Sequence, residues 1–294
     1  MKNLFKNKKK LLLLSVFLLI FVAGCANYVD PETNRVREEF IIYANTSFSE
    51  VFNEGWFAGI FVWPLAQIIN FFGNLTDAGI GILITTILFN IVIAILSIKS
   101  QVQNQRMQMM QPEVQKIQRK YEGKTDDASR MRMAQETQAL YAKYQVNPFS
   151  SILILIIQMP VLMAFYYAVQ RAAVVVNGTF LGIDLTRTPS EGLSEMQWPY
   201  LLIFGVMILL QFLSMKVPAW LAKQRKKKSG IKEKNYAQPK KSGPDQMTMM
   251  TIFSTAMIAF IGFTWPVAMS YYWAVSSLVR IIQNIIIDKV FLKD

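Results

Sequence analysis

The sequence predicts an all-α integral membrane protein with five transmembrane helices. Three observations support this fold class: 53% of the 294 residues are hydrophobic, long apolar runs recur along the chain, and the charged residues cluster between those runs. The net charge is +12. Because most of the lysines and arginines lie in loops beside apolar runs, the charge indicates membrane topology rather than binding to a specific DNA.

The composition disfavours an enzyme. The chain contains no histidine, which is the commonest general base and metal ligand, and its only cysteine is Cys25. A Ser-His or Cys-His nucleophile pair, an intrachain disulfide and a cysteine zinc site are therefore excluded.

Residues 1–24 have the pattern of a cleaved secretory signal peptide. Five lysines precede an apolar stretch at 11–22, and the small residues Ala23 and Gly24 stand directly before Cys25. This site resembles the bacterial lipobox, in which the leader is cut before a cysteine that carries diacylglycerol. The alternative is an uncleaved signal anchor with an incidental cysteine. In the first interpretation the mature chain begins outside the cytoplasm with a lipid anchor.

Residues 25–77 are predicted to be an extracytoplasmic segment. Between 26 and 77 there are seven acidic residues and two basic ones. The stretch 50–72 mixes aromatic and polar residues and is interrupted by Pro64. This pattern is more typical of an amphipathic helix lying in the outer interface than of a span.

Five apolar runs within a core at 78–290 are long enough to cross a bilayer, which takes about 20 residues of helix. The last two form one apolar block, which Pro266 divides because proline removes a backbone donor and favours a turn. The five predicted spans cover residues 78–98, 150–170, 199–217, 247–265 and 267–287.

The charges of the loops predict the topology in the bacterial cell membrane. The loop at 99–149 has nine basic and five acidic residues, the linker at 218–245 is denser in lysine, and the loop at 172–197 has one arginine and three acidic residues. The two basic loops and the C-terminus are therefore expected in the cytoplasm. Helix-forming composition at 100–122 and 126–146 predicts a helical hairpin in the first loop, whereas the linker reads as solvated chain.

Polar residues inside the spans are the candidate site, since they are costly in hydrocarbon unless they face protein or water. Helical spacing places them on one face of the first span and on one face of the fifth, and the second span adds a glutamine before a proline. The uncharged polar residues are compatible with a water-accessible groove and equally with a dry helix–helix interface. Arg280 favours the groove, because an uncompensated charge roughly 12 Å from the helix end is expensive. The residues are Thr86, Asn90 and Ser97; Trp273, Ser276, Ser277, Arg280, Gln283 and Asn284; and Gln158.

Methionines of the hairpin allow two interpretations. They could form an adaptable surface for clients, or simply pack the two helices together, which is the commoner role. The set comprises Met107, Met109, Met110, Met131 and Met133.

Three segments carry a resemblance to a known family: MQPEVQKIQRKY at 110–121, NPFSSILILIIQMPVLMAFYYAVQR at 147–171 and FTWPVAMSYYWAVSSLVRIIQNIII at 263–287. They resemble the bacterial YidC membrane-protein insertases, which are relatives of the mitochondrial Oxa1 proteins, and in particular the Gram-positive branch with a lipoprotein leader. The likeness covers about residues 50–290 in the same order of spans and loops.

The resemblance implies a five-helix core whose first, second and fifth spans enclose a hydrophilic groove open to the cytoplasm and to lipid. Nascent membrane-protein clients enter such a groove and leave sideways, without nucleotide, metal or other cofactor. Ribosomes, the Sec translocon and membrane lipids are further candidate partners.

The first span departs from the family's pattern. The family typically has an arginine in the groove face, and the stretch TILFNIVIAILSIK has Asn90 there, with Ile95 in place of a proline. Arg280 stands in the fifth span where the family has an apolar residue, at nearly the depth of Asn90. We therefore expect Arg280 and Asn90 to face each other, with the cation moved from one helix to the other.

Two other functions stay open. A lipid-anchored assembly factor could keep this fold without full insertase activity, which the missing arginine of the first span leaves possible. A small-solute transporter is disfavoured because the chain has no inverted repeat and no pair of broken helices at corresponding positions.

Overall fold

The computed structural model describes residues 28–30, 32–33, 35–147, 150–228 and 246–292. The predicted leader, Cys25 and residues 229–245 of the basic linker lie outside the described residues. Ten α-helices, labelled in chain order, make up most of the described part. They are α1 Phe48–Glu54, α2 Trp63–Leu75, α3 Ala78–Lys120, α4 Asp127–Lys143, α5 Ser150–Arg171, α6 Ala173–Val176, α7 Pro189–Ser194, α8 Trp198–Lys228, α9 Gln246–Thr264 and α10 Val267–Phe291.

The all-α membrane fold is confirmed, since helices α3, α5, α8 and α10 cover four of the five predicted spans and α9 covers the other except for its last residue. Among the described residues, three helical stretches are both long and apolar enough to cross a membrane: Ala58–Leu75, Ala78–Lys120 and Trp198–Arg225. The division of the last apolar block is also confirmed, because α9 ends at Thr264 and α10 begins at Val267.

The stretch predicted as one interfacial helix at 50–72 is divided into several pieces. Helix α1 ends at Glu54 with Gly55 as its C-cap, a π-helical turn covers Ala58–Val62, and α2 follows directly. Pro64 is the second residue of α2, so the missing proline N–H falls where the π-helical hydrogen-bond pattern gives way to the α-helical one. By length and composition this stretch could also span a bilayer. Its interfacial position stays a prediction.

The first span and the first hairpin helix form one continuous helix of 43 residues, about 65 Å long. The helix continues without a break because residues 97–111 contain no glycine or proline and are rich in the helix formers glutamine and methionine. The predicted turn is present: Gly123 has a φ of +78°, and the Asp126 carboxylate accepts the backbone N–H of Ser129 at 2.8 Å as the N-cap of α4.

The described residues divide into two compact units. Unit 1 takes its described residues from Met1–Thr85, Gln158–Tyr200 and Trp265–Met269. Unit 2 takes them from Thr86–Ile157, Leu201–Thr264 and Ser270–Asp294.

Unit 1 is held together by backbone pairing of its irregular segments. Ile42 donates its N–H to the carbonyl of Arg171 at 2.6 Å, and its own carbonyl accepts the N–H of Ala173 at 3.0 Å. The buried amide of Asn70 joins this pair from α2, donating to Ile42 O at 2.6 Å and accepting from Val174 N at 3.1 Å. The segment before α1 is therefore fastened to the end of α5.

The loop before α8 caps the start of α10 within unit 1. The carbonyls of Arg187 and Leu185 accept the N–H groups of Val267 and Ala268 at 2.7 and 3.0 Å. Helix N-termini leave such donors without intrahelical partners, so the loop satisfies them. The Arg187 guanidinium also donates to the Glu195 carboxylate and lowers the pKa of that group.

Unit 2 packs the long helices against one another. Gly262 of α9 lies so close to α8 that an added Cβ would be 2.7 Å from Met207 Cε. The rings of Phe204 and Phe263 pack at an angle of 55° with their centroids 5.6 Å apart. At the far ends of α8 and α10, Arg225 Nε donates to Asp288 Oδ1 at 2.7 Å.

Candidate intramembrane polar site

The candidate site of unit 2 is built where α3 meets α10. Asn90 Nδ2 donates to Ser276 Oγ at 3.2 Å and to the carbonyl of Thr86, one turn earlier on α3, at 2.8 Å. The hydroxyl of Ser276, which is 3% exposed, is also hydrogen-bonded to Tyr272 on its own helix. Asn90 therefore links the polar stripes of the predicted first and fifth spans.

A second contact between α3 and α10 lies further along both helices. Gln105 Nε2 donates to the backbone carbonyl and the side-chain oxygen of Asn284 at 3.1 and 3.0 Å. Gln105 is buried in the same helix that carries Asn90. The polar face of α3 thus continues beyond the predicted span, toward the hairpin.

Helix α8 contacts the other side of α10. The Ser277 hydroxyl donates to Gln211 Oε1 at 2.8 Å, and both residues are buried. Ser276 and Ser277 are consecutive residues, so their side chains point about 100° apart around the helix axis. The two serines therefore contact two different helices.

Arg280 lies one turn after Ser276 and is half-buried. Among the described residues it has neither an ion-pair partner nor a hydrogen-bond acceptor, although the phenol of Tyr272 lies near enough to interact with it electrostatically. A charge without a partner at this depth needs water, a headgroup or a ligand to solvate it. Hydrogen-bonded serine and asparagine suit a dry helix interface, but an unpaired guanidinium does not.

Thr86 adds an unsatisfied group to the same face. The residue is completely buried, and its Oγ1 has no hydrogen-bond partner in the described part of the chain. Buried hydroxyls are normally paired, so an unpaired one indicates strain, an unseen water or a functional role.

The other predicted site residues are distributed as follows. Trp273 is buried and would contact a Cβ added at Gly262. Gln283 is half-buried beside Asn284 on α10. Gln158 is half-buried on α5 and belongs to unit 1, whereas the contacts described above belong to unit 2. Ser97 is buried and donates to the carbonyl of its own helix at Ile93.

The expected pairing of Asn90 with Arg280 is modified by the structure. The Asn90 amide donates to Ser276, one turn earlier on α10 than the guanidinium. An asparagine side chain is short, so it contacts the residue directly opposite it rather than one about 6 Å further along the helix. Arg280 is therefore one helical turn beyond the residue of α10 that Asn90 contacts, and a direct pairing of Asn90 with Arg280 stays a prediction.

Sequence reasoning missed Gln211 and Gln105. Gln211 is the lone amide in the apolar run LLIFGVMILLQFLSM, and an isolated polar residue in a span was the available signal. Gln105 lies outside the predicted span, in a segment that contains many glutamines. Only the continuity of α3 shows that Gln105 lies on the polar face that contacts α10.

Sequence reasoning also missed a buried cation in unit 1. The side chain of Arg171 is 1% exposed, and it donates to the Glu54 carboxylate at 2.9 Å and to the carbonyl of Phe40 at 2.7 Å. Its guanidinium lies 4.2 Å from the centroid of the Tyr28 ring. Burial raises the pKa of the Glu54 carboxyl, and the nearby guanidinium opposes that shift.

The hairpin is joined by polar contacts on its surface. Lys120 and Tyr121 both donate to Glu136, which lowers the pKa of that carboxyl. Of the five methionines, Met110 is buried and packs inside the unit, whereas Met131 is 64% exposed. Packing therefore explains Met110, and a surface for clients stays a prediction for Met131.

Within the described residues, no cluster of three or more cysteine or acidic side chains could hold a metal ion. The polar face offers amides, hydroxyls and one guanidinium, which can bind a ligand by hydrogen bonds and charge. The fold and this face define a class: an α-helical membrane protein whose helices share a buried polar face that carries an unpaired cation.

Comparison with known proteins identifies the family. The model of the family described as "60Kd inner membrane protein" matches residues 69–294. The chain is 30% identical over 284 residues to "Membrane protein insertase YidC 2" of Bacillus anthracis, covering 96% of this chain and 94% of that one. It is 28% identical over 289 residues to "Membrane protein insertase MisCA" of Bacillus subtilis, covering 97% and 92%. The chain belongs to the 60Kd inner membrane protein family, as the sequence resemblance to the YidC proteins predicts.

Proposed function

We propose that the chain is a membrane-protein insertase, which receives polar segments of client proteins on the polar face of unit 2. The single observation that carries the proposal is Arg280, a half-buried cation without a partner among the described residues, one turn from the Asn90–Ser276 contact. Relatives named membrane protein insertase, which align over nearly the whole chain, support the same function.

The physical task of an insertase is to lower the cost of moving polar groups into hydrocarbon. An unsatisfied amide or charge costs several kcal/mol there. Amides and hydroxyls on α3 and α10 supply alternative hydrogen bonds, and the guanidinium attracts acidic residues of the translocated segment. This action needs no covalent step, so we propose that the protein is not an enzyme.

The position of the cation distinguishes this chain from the pattern expected of its family. We propose that Arg280 supplies the charge that the first span lacks, because Coulomb attraction depends on where the charge lies and not on the helix that carries it. Asn90 then provides hydrogen bonding at a place where a second cation would be repelled. The competing reading is that Arg280 extends to the headgroups, which its long stem could partly reach.

Reconstitution tests the proposed function. The purified protein in liposomes should protect the short acidic tail of a single-span client from external protease, and protein-free liposomes should not. Cells depleted of their own insertase should grow when this chain is expressed. Failure of both would favour the assembly factor, and uptake of a labelled solute by the same liposomes would favour the transporter.

The N-terminal processing has its own test. We propose that Cys25 is the lipidated first residue of the mature chain, which gives a multi-pass protein with an anchor outside the cytoplasm and its C-terminus inside. Mass spectrometry of the membrane-extracted protein should find residues 1–24 absent and Cys25 acylated. An intact Met1 in the mature protein would overturn this proposal.

Partners on the cytoplasmic side follow from charge. The hairpin at 99–149 and the linker at 218–245 carry most of the loop cations, which suit anionic lipid headgroups and ribosomal RNA. Neutralising Lys226, Lys227, Lys228, Lys240 and Lys241 should weaken co-sedimentation with ribosomes and reduce its salt dependence. Unchanged binding would mean that these lysines only set topology.

A further inference from the structure

Helix α8 contacts one side of α10 at two positions along its length. Near the middle of both helices, the buried carboxamide of Gln211 accepts from Ser277 at 2.8 Å. The second contact lies eleven residues further along α10, a rise of about 16 Å, where the Arg225 guanidinium binds the C-terminal end of the helix. Its Nε donates to Asp288 Oδ1 at 2.7 Å, and its two amino groups donate to the carbonyls of Asp288 and Leu292.

The contact at Arg225 has a specific physical character. The last carbonyls of a helix have no intrahelical donor, and a guanidinium there satisfies them while its charge favours the negative end of the helix dipole. The side chains of Arg225 and Asp288 are 24% and 16% exposed, so solvent screens the pair only partly. A lysine could pair with the carboxylate but could not present three donors in a fixed plane.

Both contacts constrain the rotation of α10 about its axis. At about 100° per residue, Ser277 and Asp288 point within roughly 20° of each other, toward α8. Ser276 points about 100° away, toward Asn90 on α3. Arg280 lies inside that arc, about 40° from Ser276 and about 60° from Ser277. The contacts of Ser276 with Asn90 and of Ser277 with Gln211 therefore set the direction in which the Arg280 guanidinium points.

A helix that carries an unpaired charge gains by turning it toward water or headgroups. Arg280 itself has no acceptor among the described residues, so contacts elsewhere must hold its direction. We propose that Gln211 and Arg225 are positioning residues, which keep α10 rotated so that Arg280 points between Ser276 and Ser277. This assignment gives α8 a role in the site without contact with the client, and it rests on the proposed function only for its effect on insertion.

A labelling experiment on the full-length protein in liposomes tests the rotation without any client. In a Cys25→Ser background that keeps Arg280, the rates at which a charged, membrane-impermeant thiol reagent modifies Ile287→Cys and Leu278→Cys are measured separately. Ile287 is buried and lies about 20° around the helix axis from Arg280, whereas Leu278 is exposed and lies about 160° from Arg280. In the Gln211→Met variant the ratio of the two rates should change about fivefold, the population shift that loss of one hydrogen bond produces.

The controls separate rotation from loosening. Gln224→Met, an exposed neighbour of Arg225, should leave the ratio unchanged. Arg225→Lys should shift the ratio less than Arg225→Met, because it keeps the charge but not the three donors. A general loss of packing raises both rates together and leaves the ratio unchanged. A constant ratio in Gln211→Met and Arg225→Met, with or without a lowered Tm, would overturn the proposal.

The effect on function is measured with two clients that differ only in the charge of the translocated tail. In Gln211→Met the insertion of the acidic client relative to the neutral one should fall about fivefold, while insertion of the neutral client is retained. Equal losses for both clients would contradict positioning of the charge. If the unsubstituted protein inserts neither client, the proposed function fails, and the labelling ratio still decides the positioning role.

Discussion

Two buried or half-buried arginines, one in each unit, have opposite surroundings. In unit 1, Arg171 is enclosed by the carboxylate of Glu54, the carbonyl of Phe40 and the ring of Tyr28, and only its Nη1 lacks an acceptor among the described atoms. In unit 2, Arg280 has neither a carboxylate nor a hydrogen-bond acceptor among the described residues, and only the phenol of Tyr272 interacts with it electrostatically. A satisfied buried charge fixes a structure, whereas an unsatisfied one is available to a ligand. We therefore propose that Arg171 is a structural cation and that Arg280 is the cation available for binding.

The largest expected effect is loss of the ion pair in unit 1. Glu54→Gln leaves Arg171 buried without a counter-charge, and breaking a buried pair on one side costs about 3 kcal/mol or more. The Tm of the purified protein in detergent should therefore fall clearly. Glu38→Gln, an exposed acidic residue in the same segment, is the matched control and should leave the Tm unchanged. Equal Tm values would mean that Arg171 is not held by charge.

A smaller effect is expected where helices of unit 1 approach most closely. A Cβ added at Gly81 of α3 would be 2.5 Å from the backbone carbonyl of Ile69 on α2, and backbone cannot move aside as a side chain can. Gly81→Ala should cost about 1–3 kcal/mol through overpacking. The control is Gly205→Ala on α8, which meets no atom within 4 Å and should not destabilise the protein. A tolerated Gly81→Ala would contradict the close packing of unit 1.

The smallest effect, and one of opposite sign, is expected at Thr86 in unit 2. Thr86→Val replaces a buried hydroxyl that has no partner by a methyl group of the same shape, which removes a desolvation cost of about 1 kcal/mol or more. The Tm should be equal or higher, while insertion of clients falls if that hydroxyl binds water or a client. A lower Tm would show that the hydroxyl is paired after all, and unit 2 would then resemble unit 1.

Local signals predicted the helices well because they act within a few residues. The apolar runs, the glycine and aspartate of the hairpin turn, and the break at Pro266 each determine their own neighbourhood. Thr86, Asn90 and Ser276 could be chosen for the same reason, since spacing along a helix decides which residues share a face. Asn90 contacts Ser276 instead of Arg280 because of how far α3 is shifted along α10. No local sequence pattern determines that shift.

Long-range contacts account for what sequence reasoning missed. Arg171 reads as an ordinary basic residue at the end of a span, and its enclosure depends on Glu54, which is 117 positions away. Gln211 and Ser277 are 66 positions apart, and neither has a motif that names the other. Residues 100–122 are predicted as a separate hairpin helix because the apolar character ends at the end of the span, although helix propensity continues.

The central claim is that the unpaired cation of unit 2 attracts acidic client segments. At a separation of about 8 Å and an effective dielectric constant of about 20, a guanidinium and a carboxylate attract by about 2 kcal/mol, or roughly 30-fold in affinity. Arg280→Met should therefore lower insertion of an acidic-tailed client by about that factor and leave a neutral-tailed client nearly unaffected.

The most direct test adds a second substitution to the first. Insertion of the acidic-tailed client is measured in liposomes that contain Arg280→Met alone or Arg280→Met with Asn90→Arg. We expect Asn90→Arg to restore insertion, because it returns a cation to the same face within one helical turn. Normal insertion by Arg280→Met alone would contradict a role for this charge, and the polar face would then act through its hydrogen bonds and water.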